Sequence, residues 1–420
     1  SVIYDSESLL FLDVMNVKLI SIGDEVLSGD TLNTNVSWMG KRFTQIGCRI
    51  IEQSTIPDTN NAIKGALRLS FEQKFDLVIT TGGLGPTSDD ITREAAFEFI
   101  GTDSVFDNEY WEQLKQRYGR AGIAVSDSNR SQAIVPTNGK VIPNLVGSAR
   151  GFQFEVGSTT LILLPGVPRE MKSMIEESVV PFIKSKGLSK PNIELLRTTG
   201  IPESSLAEKI SPVVGGKHGC SIGYYPSVFG VDLRIKGKNP SKVKDLFSDI
   251  SSILKDYVYA FEKKNIEEVV VSKARKKGCT IAISESCTGG LVGSRITDVP
   301  GSSRVFMGGV IAYSNNIKSK LLGVTKDTLE SKGAVSKETA SEMAVLTLKK
   351  FKVDYAVSIT GIAGPDGGSK SKPVGLVYVG IASEKDIHVK KYQFSGGRDA
   401  IKLRTSQAAL NMIRIALNNE

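Results

Sequence analysis

The chain has 420 residues, and at about 150 residues per domain that is roughly three domains, since one ordinary core does not hold so many. Composition is that of a soluble globular protein, with 40% hydrophobic and 23% charged residues, and the net charge of +8 suits nucleic acid and phosphorylated small anions alike. No run reaches the roughly 20 apolar residues of a membrane span, and two histidines (His218, His388) and four scattered cysteines exclude a His-rich zinc site and any CxxC pair.

Met15 opens MNVKLISIGDEVLSG, which reads as a start followed at once by a strand. Residues 1–14 are then a leader or extension, and Asp5, Glu7 and Asp13 deny it the basic start of a signal peptide. VKLISIG is an apolar strand ending at Gly23, TLNTNVSWMGKRFTQIG a helix closed by Gly47, and CRIIEQSTI a second strand. NNAIKGALRLSFEQ reads as a helix and FDLVITTGG as a strongly buried strand. SDDITREAAFEFIG predicts a helix with an acidic first turn and a closing Gly101. TTLILLPGVPREMKSMIEESVVPFIK adds strand, turn and helix, so residues 15–185 read as a doubly wound α/β domain with a mainly parallel sheet.

Residues 186–260 change character: strand IELLRTTGI, helix PESSLAEKISPVV, a hairpin from CSIGYYPS and GVDLRIKGK, and a closing helix, which make a small α+β, KH-like unit. Its Gly216-Lys217-His218-Gly219 matches the GxxG string of KH domains, but it joins a helix to a strand and reads as a turn. Residues 261–420 return to α/β, with helix IEEVVVSKARKKG stopped by Gly278 and strands CTIAISES, RVFMGGVIAYS, DYAVSITG and GLVYVGIAS. The expected fold class is therefore α/β and multidomain: two three-layer α/β/α domains joined by a small α+β domain.

In the first domain, TTGGLGPTSDDITREA follows a buried strand. Its glycines, Gly82, Gly83 and Gly85, expose backbone amides, and Thr87 or Ser88 is expected to cap the next helix, whose N-terminus attracts phosphate. Asp89 and Asp90 either stabilise the helix dipole or hold a divalent cation bridging a diphosphate. Gly23-Asp24-Glu25, Asn33-Thr34-Asn35 and Leu164-Pro165-Gly166-Val167-Pro168 gather on the same sheet edge, as in a substrate crevice. The Thr81–Pro86 loop has an echo in Thr360-Gly361-Ile362-Ala363-Gly364-Pro365, read as convergence on one kind of loop.

In the last domain, AISESCTGGLVGSRIT reads as strand, tight loop and helix, with Ser286, Cys287 and Thr288 at the turn. Gly289 and Gly290 are expected to let a phosphate or oxyanion meet the helix N-terminus. Tyr313 and Lys318 fall just past a strand. A lysine there is usually a solvated charge, yet where histidine is scarce a Ser-Lys pair is a natural way to activate a hydroxyl. Lowering its pKa from about 10.4 to about 7.5 costs roughly 4 kcal/mol. SITGIAGPDGG supplies backbone donors and the Thr360 hydroxyl, and SGGRDAIKLRT supplies Arg398 and Arg404. Cys287 stands as the rival nucleophile.

GDEVLSGDTLNTN, TTGGLGPTSDDIT and LPGVPREM resemble the signature segments of the molybdopterin-binding-like domain of the CinA-like (competence/damage-inducible) family. ESCTGG, AYSNNIK, SITGIAGPDGG and the RD after SGG resemble its C-terminal domain, also found as a stand-alone nicotinamide mononucleotide deamidase. The resemblance implies Ser286 as nucleophile, Lys318 as base with Tyr313 assisting, and substrate contacts from Thr288, Gly289, Gly290, Asn315, Thr360, Gly361 and Arg398, with no cofactor. Gly397 departs from the family, where Asp is common, which bears on substrate positioning. In the first domain it implies metal-dependent ADP-ribose pyrophosphatase activity around Glu25, Asn35, Gly82, Gly83, Gly85, Thr87 and Pro168, with Asp89 and Asp90 on Mg, Mn or Co. It also implies a cytoplasmic homodimer without membrane contact. The competing reading is a competence- or repair-associated protein binding nucleic acid or molybdopterin, and the middle domain has no aromatic-interleaved basic stripe to favour nucleic acid.

Overall fold

Alternation along the strands decides how the first unit is layered. Val17 and Leu19, with Ile79, Ile162 and Leu164, join one apolar cluster, while Ile20 and Ile22, with Val78, Leu161 and Leu163, join another. Successive strand side chains point to opposite faces, so one sheet carries two cores. The computed structural model describes residues 14–120, 122–188, 192–215 and 219–418, which divide between residues 191 and 192 into two compact units. The proposed leader, apart from Val14, and residues 216–218 of the GxxG string lie outside the described residues.

The first unit has a six-stranded sheet in the order Arg49–Ile56, Asn16–Ile22, Leu77–Thr81, Thr159–Leu164, Gly151–Val156, Lys140–Ile142. The first four strands are parallel and the last two pair antiparallel. Helix Thr34–Gln45 covers one face with Val36, Met39 and Phe43, spaced three and four apart, and its start is fixed by Asn33, whose side chain accepts from the Val36 amide at 3.2 Å. Helix Asn60–Glu72 covers the other face with Ile63 and Leu67.

One sequence expectation is corrected. The helix expected from Ser88 starts at Thr92, its N-cap is Ile91, and no side chain caps it. Thr87 donates its amide (2.9 Å) and its hydroxyl to the Asp90 carboxylate, so this turn closes on itself before the helix begins. Asp89 and Asp90 therefore precede the helix instead of occupying its first turn.

The second unit contains two sheets. Cys220–Ser227, Gly230–Gly237, Asn192–Thr198 and Val258–Ala260 form an antiparallel sheet, on which Leu206 and Ile210 of helix Glu203–Val214 and Leu246 and Ile250 of helix Pro240–Ile253 pack. A five-stranded sheet follows, in the order Phe306–Ile311, Ile281–Glu285, Tyr355–Gly361, Leu376–Ser383, Ile387–Gln393, parallel across its first three strands. Helices Ile266–Lys277, Leu291–Thr297 and Arg398–Ala416 bury Val270, Val292 and Leu410 in one core, while Lys337–Phe351 lies over the opposite face, where Ser358 Oγ donates to the Ala340 carbonyl at 2.5 Å. Arg414 ties the two sheets' layers together by donating to the carbonyls of Val258 (3.2 Å) and Asp256 (3.0 Å). No helix among the described residues is long and apolar enough to cross a membrane.

Candidate functional site

Strand Ile281–Glu285 delivers Ser286 to the carboxyl edge of the second unit's larger sheet, where the Ser286 amide donates to the Ile359 carbonyl at 3.0 Å. Lys318 follows the neighbouring edge strand, and its side chain runs inward until it is 1% exposed. Its Nζ lies 3.0 Å from Ser286 Oγ and donates to the carbonyls of Ala312 (2.8 Å) and Tyr313 (3.2 Å). Burial holds the Lys318 pKa below the ordinary lysine value. A neutral amine has two hydrogens and one lone pair. The two carbonyls take the hydrogens, which leaves the lone pair for the Ser286 hydroxyl proton.

The loop after Ser286 is held by a residue the sequence reading passed over. Glu285, 1% exposed, accepts from the amides of Gly290 (3.0 Å), Val292 (3.2 Å) and Gly293 (2.9 Å). The Gly289 amide goes to the Ser286 carbonyl at 3.0 Å and that of Leu291 to Thr288 at 3.4 Å. This corrects the expectation that Gly289 and Gly290 open the helix N-terminus to a ligand anion, because Glu285 is the anion already there. The amides of Cys287 and Thr288 follow Ser286 directly, and the Cys287 amide lies against that residue's own thiol. The Cys287 thiol is buried, and burial pushes it up to about 12, so it does not supply a thiolate at neutral pH.

Tyr313 sits differently from its expected role. It is 59% exposed, and its hydroxyl accepts from Arg398 Nη2 at 3.1 Å, while its contribution to Lys318 is the backbone carbonyl. Arg398 also donates to the Gly364 carbonyl at 2.7 Å, joining the loop after strand Tyr355–Gly361 to the start of the last helix. Thr360 is buried and its hydroxyl proton goes to the Ala334 carbonyl at 2.6 Å. Asn315 is exposed at the start of the turn that carries Lys318, and Gly361 ends the strand beside the Ser286 strand. Thr288 is fully buried with its hydroxyl unpaired.

The first unit holds a cavity of about 520 Å³ whose walls include Glu25, Asn35, Gly82, Gly83, Gly85, Asp89, Asp90 and Pro168, and Thr87 adjoins it. Gly82 has φ +119 and a Cβ there would run into the Ile22 carbonyl, so the turn requires glycine. Asn35 Nδ2 donates to the Gly166 carbonyl at 2.7 Å and to Thr81 Oγ1 at 3.2 Å, while its Oδ1 is buried with no partner. Asp58 and Glu170 line the same cavity and were not singled out in the sequence. Asp58 accepts from the Asp24 amide at 3.1 Å, and burial, reinforced by Glu25, Asp24 and Asp89, raises its carboxyl above the usual range against that hydrogen bond. The signal for Asp58 was its place just past the strand Arg49–Ile56, next to Gly23.

Among the described residues no group of three or more Asp, Glu, His or Cys side chains is spaced to hold a metal ion. A cation carried in on a diphosphate, with one or two carboxylates and waters completing its shell, fits these donors, and a preformed protein cage does not. Thr87 reaches both carboxylates, donating its amide to Asp90 at 2.9 Å and lowering the Asp89 pKa through its side chain, and of the two Asp89 is the more exposed.

Three family descriptions match the chain in order: a probable molybdopterin binding domain over residues 18–185, the KH domain of damage-inducible protein CinA over 194–260, and the CinA C-terminal domain over 263–417. A relative from Caldicellulosiruptor saccharolyticus, named for competence-damage induction, is 39% identical over 411 residues, which span 96% of this chain and 100% of that one. The chain belongs to the CinA family. A CinA-like protein of Dictyoglomus thermophilum is 38% identical over 411 residues, covering 96% of this chain and all of that one. Among solved structures, a competence/damage inducible protein from Agrobacterium tumefaciens is 38% identical over 37% of this chain and 97% of its own, with a TM-score of 0.35. The Ser286–Lys318 pair falls within the residues matched by the CinA C-terminal domain, and the 520 Å³ cavity within those matched by the molybdopterin binding domain.

Proposed function

We propose that the C-terminal domain hydrolyses the carboxamide of nicotinamide mononucleotide to nicotinic acid mononucleotide and ammonia. The observation that carries this reading is the 3.0 Å contact between buried Lys318 Nζ and Ser286 Oγ, with Lys318 held towards its neutral form. Ser286 Oγ attacks the carboxamide carbon while Lys318 takes its proton. The oxyanion is met by the Cys287 and Thr288 amides. The C–N bond breaks as Lys318 returns the proton to the departing ammonia, which leaves an ester on Ser286. Water then attacks that ester, giving its proton to Lys318, and the carboxylate product leaves as the Ser286 hydroxyl is restored. Arg398, exposed beside Gly364 and Tyr313, supplies the charge for the substrate phosphate.

For the first cavity we propose metal-dependent hydrolysis of the diphosphate of ADP-ribose. Its support is the Gly82–Gly85 turn, the unpaired Asn35 Oδ1 and the exposed Asp89 on one cavity wall. A divalent cation would supply charge neutralisation on the diphosphate, with Asp89 as its protein ligand. Molybdopterin binding is the alternative occupant of this cavity. We further propose that the chain works as a homodimer. The test of the main reading is product analysis on full-length protein given nicotinamide mononucleotide in EDTA. Equal amounts of ammonia and nicotinic acid mononucleotide are expected, and neither product from folded protein would overturn it.

A further inference from the structure

A second large concavity lies at the other end of the C-terminal domain's sheet. It has a volume of about 510 Å³ and is walled by helix Ile266–Lys277 and by the segment that leads into strand Phe306–Ile311. Gly278 and Val305 line it, and both precede strands, whereas Ser286 follows one. The strand between is 5 residues long, which at about 3.3 Å each places roughly 16 Å between this groove and the nucleophile. It is therefore separate from the deamidase site.

Its chemistry is that of an anion site with an apolar floor. Arg275 and Lys276 enter from the helix and Arg304 from the turn Ser302–Arg304, over Val271, Val299 and Val305. None of the three cations takes part in an ion pair among the described residues. Glu268, the one acidic residue of the lining, is committed to the helix cap, where it accepts from the Asn265 amide at 2.6 Å. Cations in the last turn of a helix complement its dipole, and that covers Arg275, Lys276 and Lys277 alike. It does not account for Arg304, which belongs to another element. The Arg275 guanidinium lies close to Gly301, beside the groove, where a Cβ would come within 3.2 Å of its Nη1, and Gly301 has φ +82. The left-handed backbone favours glycine at this position.

We propose that this groove is an accessory binding site for a nucleotide-type anion. Arg275 and Arg304 fork the phosphates, Lys276 adds a point charge, and the half-buried Val299 with exposed Pro300 offers the apolar surface for the ring. The size suits such an occupant, since small-ligand pockets run from about 300 to about 1,000 Å³. The proposal is independent of the reaction assigned to Ser286.

The test is arginine modification by phenylglyoxal in the full-length protein, read peptide by peptide, with ADP as the probe. ADP at millimolar concentration is expected to slow modification of Arg275 and Arg304 and leave exposed Arg49, in the other unit, unchanged. Adenosine is expected to give no protection. Arg304→Gln should raise the ADP concentration needed to protect Arg275 by about tenfold, the loss of one charge-assisted contact, with ammonia release from nicotinamide mononucleotide unchanged. Absence of ADP protection would overturn the site. So would equal protection by inorganic pyrophosphate, because the groove would then be reading charge alone.

Discussion

Glu285 Oε2 accepts the amide hydrogen of Gly290 at 3.0 Å, so the residue before Ser286 grips the far end of the loop that Ser286 opens. Two more amides, from Val292 and Gly293, complete the grip. Glu285→Gln turns a pure acceptor into a group with its own N–H facing those donors. The expected loss is about 1–3 kcal/mol of stability, read as a lower urea midpoint, together with a fall in kcat that exceeds any change in KM. Unchanged stability would mean the carboxylate does not hold the loop.

The position of Lys318 sets a pH dependence. Burial depresses its pKa in the folded chain, so between the folded and unfolded values the unfolded chain binds more protons. Stability therefore rises with pH through that window. If the neutral amine is the base, as proposed, deamidation should rise on the same limb, and kcat/KM should reach a plateau above a pKa that lies below about 10.4. Lys318→Arg stays charged and should lose both the limb and the activity. A rate falling with pH where the enzyme remains folded would contradict a lysine base.

Tyr313 separates a carbonyl role from a hydroxyl role. Its carbonyl meets Lys318 at 3.2 Å and its hydroxyl meets Arg398 at 3.1 Å. Tyr313→Phe keeps the carbonyl, so kcat should change by no more than about tenfold, whereas Arg398→Ala should raise KM for the phosphorylated substrate by about tenfold or more. Steady-state kinetics on both variants decide this, and a collapse of kcat in Tyr313→Phe would restore the hydroxyl as a proton relay.

The two proposed reactions should respond differently to chelation. EDTA is expected to abolish ADP-ribose hydrolysis and to spare deamidation, and Asp89→Asn should weaken the first activity alone. Loss of ammonia release in EDTA would place a metal in the C-terminal reaction as well.

How far the sequence could be read follows from where the information is local. Strand alternation from Val17 to Ile22 and the glycine stops at Gly101 and Gly278, both in left-handed backbone, are local signals, and the layers and helix ends follow from them. The stretch between Gly101 and Thr159 was not legible. Its strands Ser104–Phe106, Lys140–Ile142 and Gly151–Val156 are short or paired antiparallel at a sheet edge, and tertiary contacts fix them more than pattern does. Ser286 and Lys318 were legible as residue types at strand ends, but the inward turn of Lys318 was not, since nothing in AYSNNIK sets it apart from a surface lysine. The Glu285 contacts were equally hidden, because a carboxylate at the end of an apolar strand reads as a solvent-facing residue until the helix start closes over it.

The proposed mechanism makes Ser286, not Cys287, the nucleophile. The direct measurement is ammonia release from nicotinamide mononucleotide by full-length wild type, Ser286→Ala and Cys287→Ala, each confirmed folded, with EDTA present. Release should fall by about a thousandfold or more in Ser286→Ala and be retained in Cys287→Ala. Retained release in Ser286→Ala, or its loss in Cys287→Ala, would contradict it.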